Sequence, residues 1–366
     1  MSSILDKVIK SKHNEKLSKF NPYQILGSIL DILSDREQEI IKMRHGLSNY
    51  EKKTLEEIGN KYSITRERVR QIENASIKKI KDNFNKTYLK EIEDVANGIL
   101  NEQGGMMSEE NLIEELLTTS GNSKENYSAI HFILSQLLKN RFHYVKENKY
   151  VTNFWKTPES SLDFFNKIID NIYNLFKKED NILKLDDLIN KISKEDFYSS
   201  DDYLTDKIII NYIDITKRIK ENPYEDWGLS EWPSITPKRM NDKIHIILQK
   251  KEKPMHFTDI ADQINKVKFD KRKAFPATIH NELILDKKYV LVGRGIYALK
   301  EWGYEPGVVS DVIKDILSKS DFPLYKKDII EEVLKKRLIK KTTISLALMN
   351  KQKFIKDEKG RYCLES

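Results

Sequence analysis

The sequence predicts a mainly α protein, with an N-terminal helix-turn-helix domain followed by tandem winged-helix (α+β) repeats. Three observations carry this. The stretch from Thr54 to Lys81 reads as two helices around a tight turn. The remainder repeats one layout with a period of about 70 residues. Gly and Pro are scarce, 13 and 9 in 366 residues, while aliphatic and aromatic side chains suffice for packed cores in two or more domains.

Residues 1–22 are lysine-rich with sparse apolar positions and read as a basic N-terminal arm. Residues 23–86 form the first domain. Ile25, Leu26, Ile29, Leu30, Leu33, Ile40, Ile41 and Met43 recur at helical spacing, and Gly46 suits a helix C-cap. Thr54 and Glu57 make a capping box at the head of the next helix. Gly59 inside that helix costs about 1 kcal/mol against Ala, which predicts close packing there. Thr65 caps a second helix, whose apolar stripe is Val69, Ile72, Ile77 and Ile80. Between Lys61 and Lys81 stand Lys61, Arg66, Arg68, Arg70, Lys78, Lys79 and Lys81, against Glu67 and Glu73. A helix that enters the major groove needs long side chains that bond base edges: Arg to guanine, Gln to adenine, Glu to cytosine. Arg66, Glu67, Arg68, Arg70, Gln71, Asn74 and Lys78 are therefore the candidate DNA-binding residues. The alternative is an amphipathic hairpin with a solvated charged face.

The wording of this domain is specific. Leu33-Ser34-Asp35-Arg36-Glu37, Met43-Arg44-His45-Gly46-Leu47, Thr54-Leu55-Glu56-Glu57-Ile58-Gly59 and Thr65-Arg66-Glu67-Arg68-Val69-Arg70-Gln71-Ile72-Glu73 stand in order. Together they resemble region 4 of primary-type bacterial sigma factors, over about residues 23–84. That resemblance implies reading of an upstream promoter element and docking on the flap of core RNA polymerase. It places base reading on Arg66, Glu67, Arg70 and Gln71. Two positions depart from the family pattern. His45 stands where Phe or Tyr is usual, and Ala75 where a basic residue often faces the phosphates. The departures imply a changed promoter preference and a weaker affinity.

Each later repeat reads as helix, short strand, helix, helix and a two-stranded wing. Helices and strands fall at 89–103, 107–119, 125–140 and 142–155 in winged helix 1 (87–158), and at 162–178, 183–193, 204–221 and 227–232 in winged helix 2 (159–234). They fall at 238–251, 255–267, 275–286 and 289–302 in winged helix 3 (235–305), and at 308–318, 324–338, 341–351 and 354–364 in winged helix 4 (306–366). Gly293-Arg294-Gly295 and Lys359-Gly360-Arg361 read as hairpin turns. His256-Phe257-Thr258-Asp259-Ile260-Ala261, Phe275-Pro276-Ala277-Thr278-Ile279-His280 and Tyr289 to Leu299 resemble the HARE-type winged helix, over about residues 237–304. That type occurs in the delta subunit of RNA polymerase and in some restriction and chromatin proteins.

The formal charge of +7 fits a nucleic-acid partner without requiring one. A single cysteine, Cys363, excludes an internal disulfide and a multi-cysteine metal site. The seven histidines lack metal-ligand spacing, and no glycine loop suits a phosphate, so we expect no catalytic site, no metal and no cofactor. Phe154, Trp155, Trp227, Trp232 and Trp302, at strand ends, read as core plugs rather than base-stacking platforms. The expected partners are promoter-like double-stranded DNA and core RNA polymerase. No apolar run approaches a membrane span, and the expected place is the cytoplasm. Only about 22 residues precede the first domain, too few for the strand-melting part of a sigma factor. Three readings stand: a sigma-like regulator that binds promoter DNA, a delta-like polymerase-associated interaction protein, and a DNA-recognition accessory of a restriction or defence system. Oligomeric state and target sequence are not legible.

Overall fold

The computed structural model describes residues 21–83, 86–118, 120–199, 201, 203–304, 308–337, 339–350 and 352–364. Most of the basic arm, residues 1–20, lies outside them. The protein is mainly α, with small three-stranded sheets of winged-helix type. It divides into two compact units. The first runs to Asn181 and takes in Leu185–Lys220; the second comprises Ile182–Lys184 and Glu221–Ser366.

The first unit opens with α1 (Pro22–Leu30), α2 (Asp35–His45), α3 (Leu55–Tyr62) and α4 (Arg66–Asn83). Local chemistry sets these limits. Asn21 accepts from the Gln24 amide to start α1, and Ser34 with Glu37 makes a capping box on α2. Gly46, at φ 68°, ends α2 in the left-handed conformation that favours glycine. α5 (Lys86–Glu102), β1 (Met106–Ser108), α6 (Glu109–Leu116), α7 (Lys124–Phe132), β2 (His143–Val145) and β3 (Phe154–Lys156) follow. They make the first winged helix, with strand order β1-β3-β2 and Met107 opposite Trp155. α7 continues as a π turn over Ile133–Leu137, where the sequence reading had one uninterrupted helix. Phe154 and Trp155 are 1% and 0% exposed, core side chains as expected.

One apolar core runs through the helix-turn-helix scaffold and this winged helix. Leu26, Ile29, Leu30, Leu33, Ile41 and Ile80 belong to the same cluster as Ile92, Ile130, Ile133, Leu134 and Leu137. Each such side chain, fully buried, contributes about 1.5–3 kcal/mol. A second, smaller cluster of Ile40, Met43, Ile58 and Val69 holds α3 and α4 against α2.

α8 (Leu162–Glu179), β4 (Leu183–Lys184), α9 (Leu185–Ile192), α10 (Asp196–Ser199), α11 (Asp206–Ile215), β5 (Ile219–Glu221) and β6 (Asp226–Leu229) keep the order of the second repeat, with α10 as an added turn and with the third helix, expected over 204–221, ending at Ile215 so that Ile219–Glu221 is a wing strand. In the first unit α11 plugs the turn ahead of β1. Asn211 Nδ2 donates to the carbonyls of Gln103 at 2.8 Å and Met106 at 2.7 Å, and the Tyr212 hydroxyl donates to Gly104 O at 3.0 Å.

In the second unit β4 pairs with β6, Leu183 opposite Trp227. The third winged helix comprises α12 (Met240–Lys251), β7 (Met255–His256), α13 (Phe257–Val267), α14 (Pro276–Leu285), β8 (Tyr289–Gly293) and β9 (Ile296–Leu299). Its strand order is β7-β9-β8, and its own core gathers Ile244, Ile247, Ile260, Ile264, Ile279, Leu283 and Leu299. Trp302 sits in a 3-10 turn after β9 rather than in a strand, and is partly buried. The fourth comprises α15 (Val309–Ser318), β10 (Leu324–Tyr325), α16 (Lys326–Lys336), α17 (Lys341–Ala347), β11 (Phe354–Lys356) and β12 (Arg361–Leu364), in strand order β10-β12-β11. No described helix is long and apolar enough to cross a membrane.

Candidate nucleic-acid interface

α3 and α4 form the helix-turn-helix. Thr54 Oγ1 accepts from the Glu57 amide at 3.2 Å, while the Glu57 carboxylate accepts from the Thr54 amide at 2.7 Å. The backbone hydrogen bond to Glu57 is the largest of the influences that hold its carboxyl below the usual range. A Cβ on Gly59 would fall 2.7 Å from the Ile64 carbonyl oxygen, so the turn can close only over glycine. Ser63, at φ 52°, makes the corner, and Thr65 Oγ1 accepts from the Arg68 amide at 3.1 Å to start α4.

α4 buries Val69, Ser76 and Ile80. Arg66, Glu67, Arg68, Arg70, Gln71, Asn74 and Lys78 are all exposed. Arg70, Asn74 and Lys78 are four residues apart and share one stripe, flanked by Glu67 and Gln71. Arg68 lies toward the edge of this face, beside the exposed Ala75.

The face is pre-arranged by its own hydrogen bonds. The Arg70 guanidinium donates to Glu67 through Nε at 2.9 Å and Nη2 at 2.7 Å, and Arg68 Nη1 donates to Gln71 Oε1 at 3.1 Å. Arg70 holds the Glu67 carboxyl below its ordinary range, so this edge presents a fixed anion beside a cation. Base readout by Arg70 requires its guanidinium to share or leave Glu67. Lys79, on the far side of α4, is instead paired with Glu37 at 3.2 Å.

Behind the face the departure at His45 has a physical explanation. The His45 ring meets Phe132 of α7 edge-on, with centroids 4.9 Å apart. Its Nε2 lies 3.1 Å from Glu73 Oε1, at an angle poor for a hydrogen bond, and Arg44 Nε lies 3.4 Å from the same oxygen. Burial pushes the Glu73 carboxyl up, but His45 and Arg44 outweigh it and hold the group ionised. Glu73 thus fastens α4 to α2, whose His45 in turn meets Phe132 of the first winged helix. α2 and α3 are tied similarly: the Glu39 carboxylate accepts from Lys61 and from the Tyr62 hydroxyl. Burial, then that hydrogen bond, pushes the Tyr62 phenol up to about 12.

Lys81, three residues after Lys78, continues this stripe and is partly exposed. The third helices of the first two winged helices are occupied within the protein. α7 lies against α1, and α11 against the turn before β1. No periodicity in the sequence signals this, because the partners lie far away along the chain.

Residues 29–82 match the family described as Sigma-70, region 4. RNA polymerase sigma factor SigA of Microcystis aeruginosa is 40% identical over 77 residues, which cover 21% of this chain and 18% of that protein. SigA of Nostoc sp. is also 40% identical over 77 residues, 20% of its length. SigA of Lactococcus lactis subsp. cremoris is 45% identical over 56 residues, 15% of each chain. The chain thus spans about a fifth or less of the curated relatives it matches, and the family match falls on the helix-turn-helix and its scaffold.

Proposed function

We propose, from the premise that residues 29–82 form a sigma-70 region 4 helix-turn-helix, that this protein is a sigma-like transcription regulator. In this reading α4 enters the major groove of promoter-type DNA. Arg66, Glu67, Arg70 and Gln71 meet base edges, and Arg68, Asn74 and Lys78 meet the flanks of the groove. The observation that carries the reading is the exposure of all seven side chains on a helix whose opposite face is sealed into the core. The relatives are RNA polymerase sigma factors by name, which supports contact with core RNA polymerase as the second half of the proposal. The reading assigns the chain no catalysis and no strand opening. Phe154 and Trp155, which could receive unstacked bases, are sealed in the core.

Fluorescence anisotropy of the full chain on duplexes with and without the preferred site tests it. Arg70→Ala and Gln71→Ala each lose about 5- to 150-fold on the preferred site and relax the preference there. Lys78→Ala weakens every sequence alike, as phosphate contacts do. If both base-face variants bind all sequences as wild type does, α4 does not read DNA.

A polymerase-associated, delta-like interaction protein is the second reading, and one observation favours it. The third helix of the third winged helix, α14, holds neither Lys nor Arg. It leaves Ile284 and Leu285 exposed, at 60% and 80%, with Phe275 just ahead of it. Such a face suits protein better than phosphate. Binding to core polymerase without DNA, lost in Leu285→Glu and retained in Arg70→Ala, distinguishes this reading from the first.

A further inference from the structure

From Val333 to Lys356 the sequence holds eight Lys and Arg residues and not one Asp or Glu. The chain as a whole balances 64 basic residues with 57 acidic ones, so a one-signed run of this length calls for counter-charge from elsewhere. The run surrounds α17, the third helix of the fourth winged helix. Part of it is met within the domain. Lys335 pairs with Glu332 at 2.6 Å and Lys336 with Asp315 at 3.3 Å, Arg337 is buried, and Lys356 lies over the Tyr362 ring at 6.0 Å. Lys340, Lys341 and Lys353 are exposed, and among the described residues no carboxylate lies within ion-pair distance of them. Backbone geometry fixes where these three stand. α17 begins at Lys341, with Lys340 as its N-cap residue. At the far end the amides of Lys353 and Phe354 both donate to the Asn350 carbonyl at 3.1 Å, a turn that holds Lys353 just beyond the helix. The inner side is sealed, with Ile344 and Leu348 buried in one cluster with Ile329, Val333 and Phe354. Between the two cationic ends the outer side presents Thr342, Leu346 and Met349, all exposed.

An uncharged centre between cationic ends suits a helix that sits in a major groove. α17 is about 10 Å long at 1.5 Å per residue, and the groove is about 12 Å wide. A threonine hydroxyl bonds base edges, apolar side chains meet the thymine methyl, and ammoniums at either end meet the phosphates that border the groove. The third helices of the other winged helices lack this combination. α7 and α11 are packed against α1 and the turn before β1, and α14 holds neither Lys nor Arg. We propose that α17 is a second duplex-binding helix. The chain is then a bivalent DNA binder, with α4 in the first compact unit and α17 in the second. The proposal goes beyond the reading of α4 and does not depend on it.

Salt-titrated anisotropy of the full chain on a labelled duplex separates the two helices. With α4 disabled by Arg66→Ala, Arg70→Ala and Lys78→Ala together, duplex binding at low salt remains. In that background Lys341→Ala or Lys353→Ala lowers the slope of log K against log salt by about 0.9 in magnitude, the contribution of one phosphate. Lys340→Glu with Lys341→Glu lowers affinity about tenfold or more, while Lys341→Arg keeps it. These side chains are exposed, so the thermal midpoints stay at the parent value and lost binding is not lost folding. Loss of all duplex binding in the α4-disabled chain overturns the proposal. So do lysine variants with unchanged slope and affinity, which would mean that this face meets an acidic protein surface instead. Failure of the α4 reading shows separately, as Arg70→Ala and Gln71→Ala chains, otherwise intact, that bind every sequence as wild type does. A wild-type chain that binds no duplex overturns both.

Discussion

Lys243 is 1% exposed, and its ammonium reaches Asp270 Oδ1 at 2.8 Å inside the third winged helix. Lys243, then the backbone and side chain of Arg272, hold the Asp270 carboxyl down to about 2. The sign follows from linkage. An acid depressed on folding contributes stability that is complete above its unfolded value near 4 and lost as pH falls through about 2. The third winged helix should therefore lose stability across that window. Asp270→Asn should lower its stability by about 1 kcal/mol near neutral pH, because it unpairs the buried Lys243 side chain while the exposed carboxylate it removes is screened by solvent, and should flatten the acid response. Urea unfolding on a descending pH series checks both; a variant as stable as wild type would show that Lys243 finds another partner. At this scale the sequence was legible where a residue acts on its neighbours. Thr54, Glu57, Gly59 and Thr65 do what short-range spacing says. His45, Glu73 and Lys243 were not legible, since each is defined by a partner 27 or more positions away.

Helices with the same place in the layout differ in what they present. α4 carries Arg66, Arg68, Arg70, Lys78, Lys79 and Lys81, and the side bearing Arg70, Asn74 and Lys78 is left exposed. α7 and α11 are spent on packing within the first unit. α14 is open but holds no cation, and Lys273 beside it lies over the Phe275 ring at 5.7 Å. A duplex passing along α14 would meet no counter-charge from that helix, and the phosphate term dominates affinity. Asn281→Glu on the exposed side of α14 is accordingly expected to leave duplex binding of the full chain unchanged in salt-titrated anisotropy. A marked loss would place α14 at the DNA. Periodicity made the helices themselves legible from sequence, as in α8, α12 and α15. What periodicity could not give was which exposed faces stay exposed, because an apolar stripe reads the same whether it covers its own core or a neighbouring module. The π turn over Ile133–Leu137 escaped for a related reason: one widened turn leaves the apolar pattern nearly intact.

At the scale of the molecule, the sigma-70 region 4 family match ends within α4, but the core does not. Relatives match over 56–77 residues, and the family match stops at residue 82. Here Leu26, Ile29, Leu30 and Leu33 of the scaffold share one cluster with Ile130, Ile133, Leu134 and Leu137 of the first winged helix. The helix-turn-helix keeps for itself only the small cluster of Ile40, Met43, Ile58 and Val69, with Leu55, Tyr62, Ile64 and Ile72 at its margin. A domain of about 60 residues is marginal even with an undivided core. Cutting this chain after Asn83 exposes several large aliphatic side chains, each contributing about 1.5–3 kcal/mol when buried, against a total stability on the order of 5–15 kcal/mol. It also removes Phe132 from His45 and loosens the fastener at Glu73. A fragment of residues 21–83 should therefore lose amide protection along α1 and melt without cooperativity. A fragment of residues 236–304 should melt cooperatively, because every buried residue of its cluster from Ile244 to Leu299 lies within it, although Tyr224, which packs on the cluster from outside, is lost. Hydrogen exchange on the two fragments decides the matter. Protected amides along α1 in the shorter fragment would mean that the helix-turn-helix folds alone and that the first winged helix only leans on it.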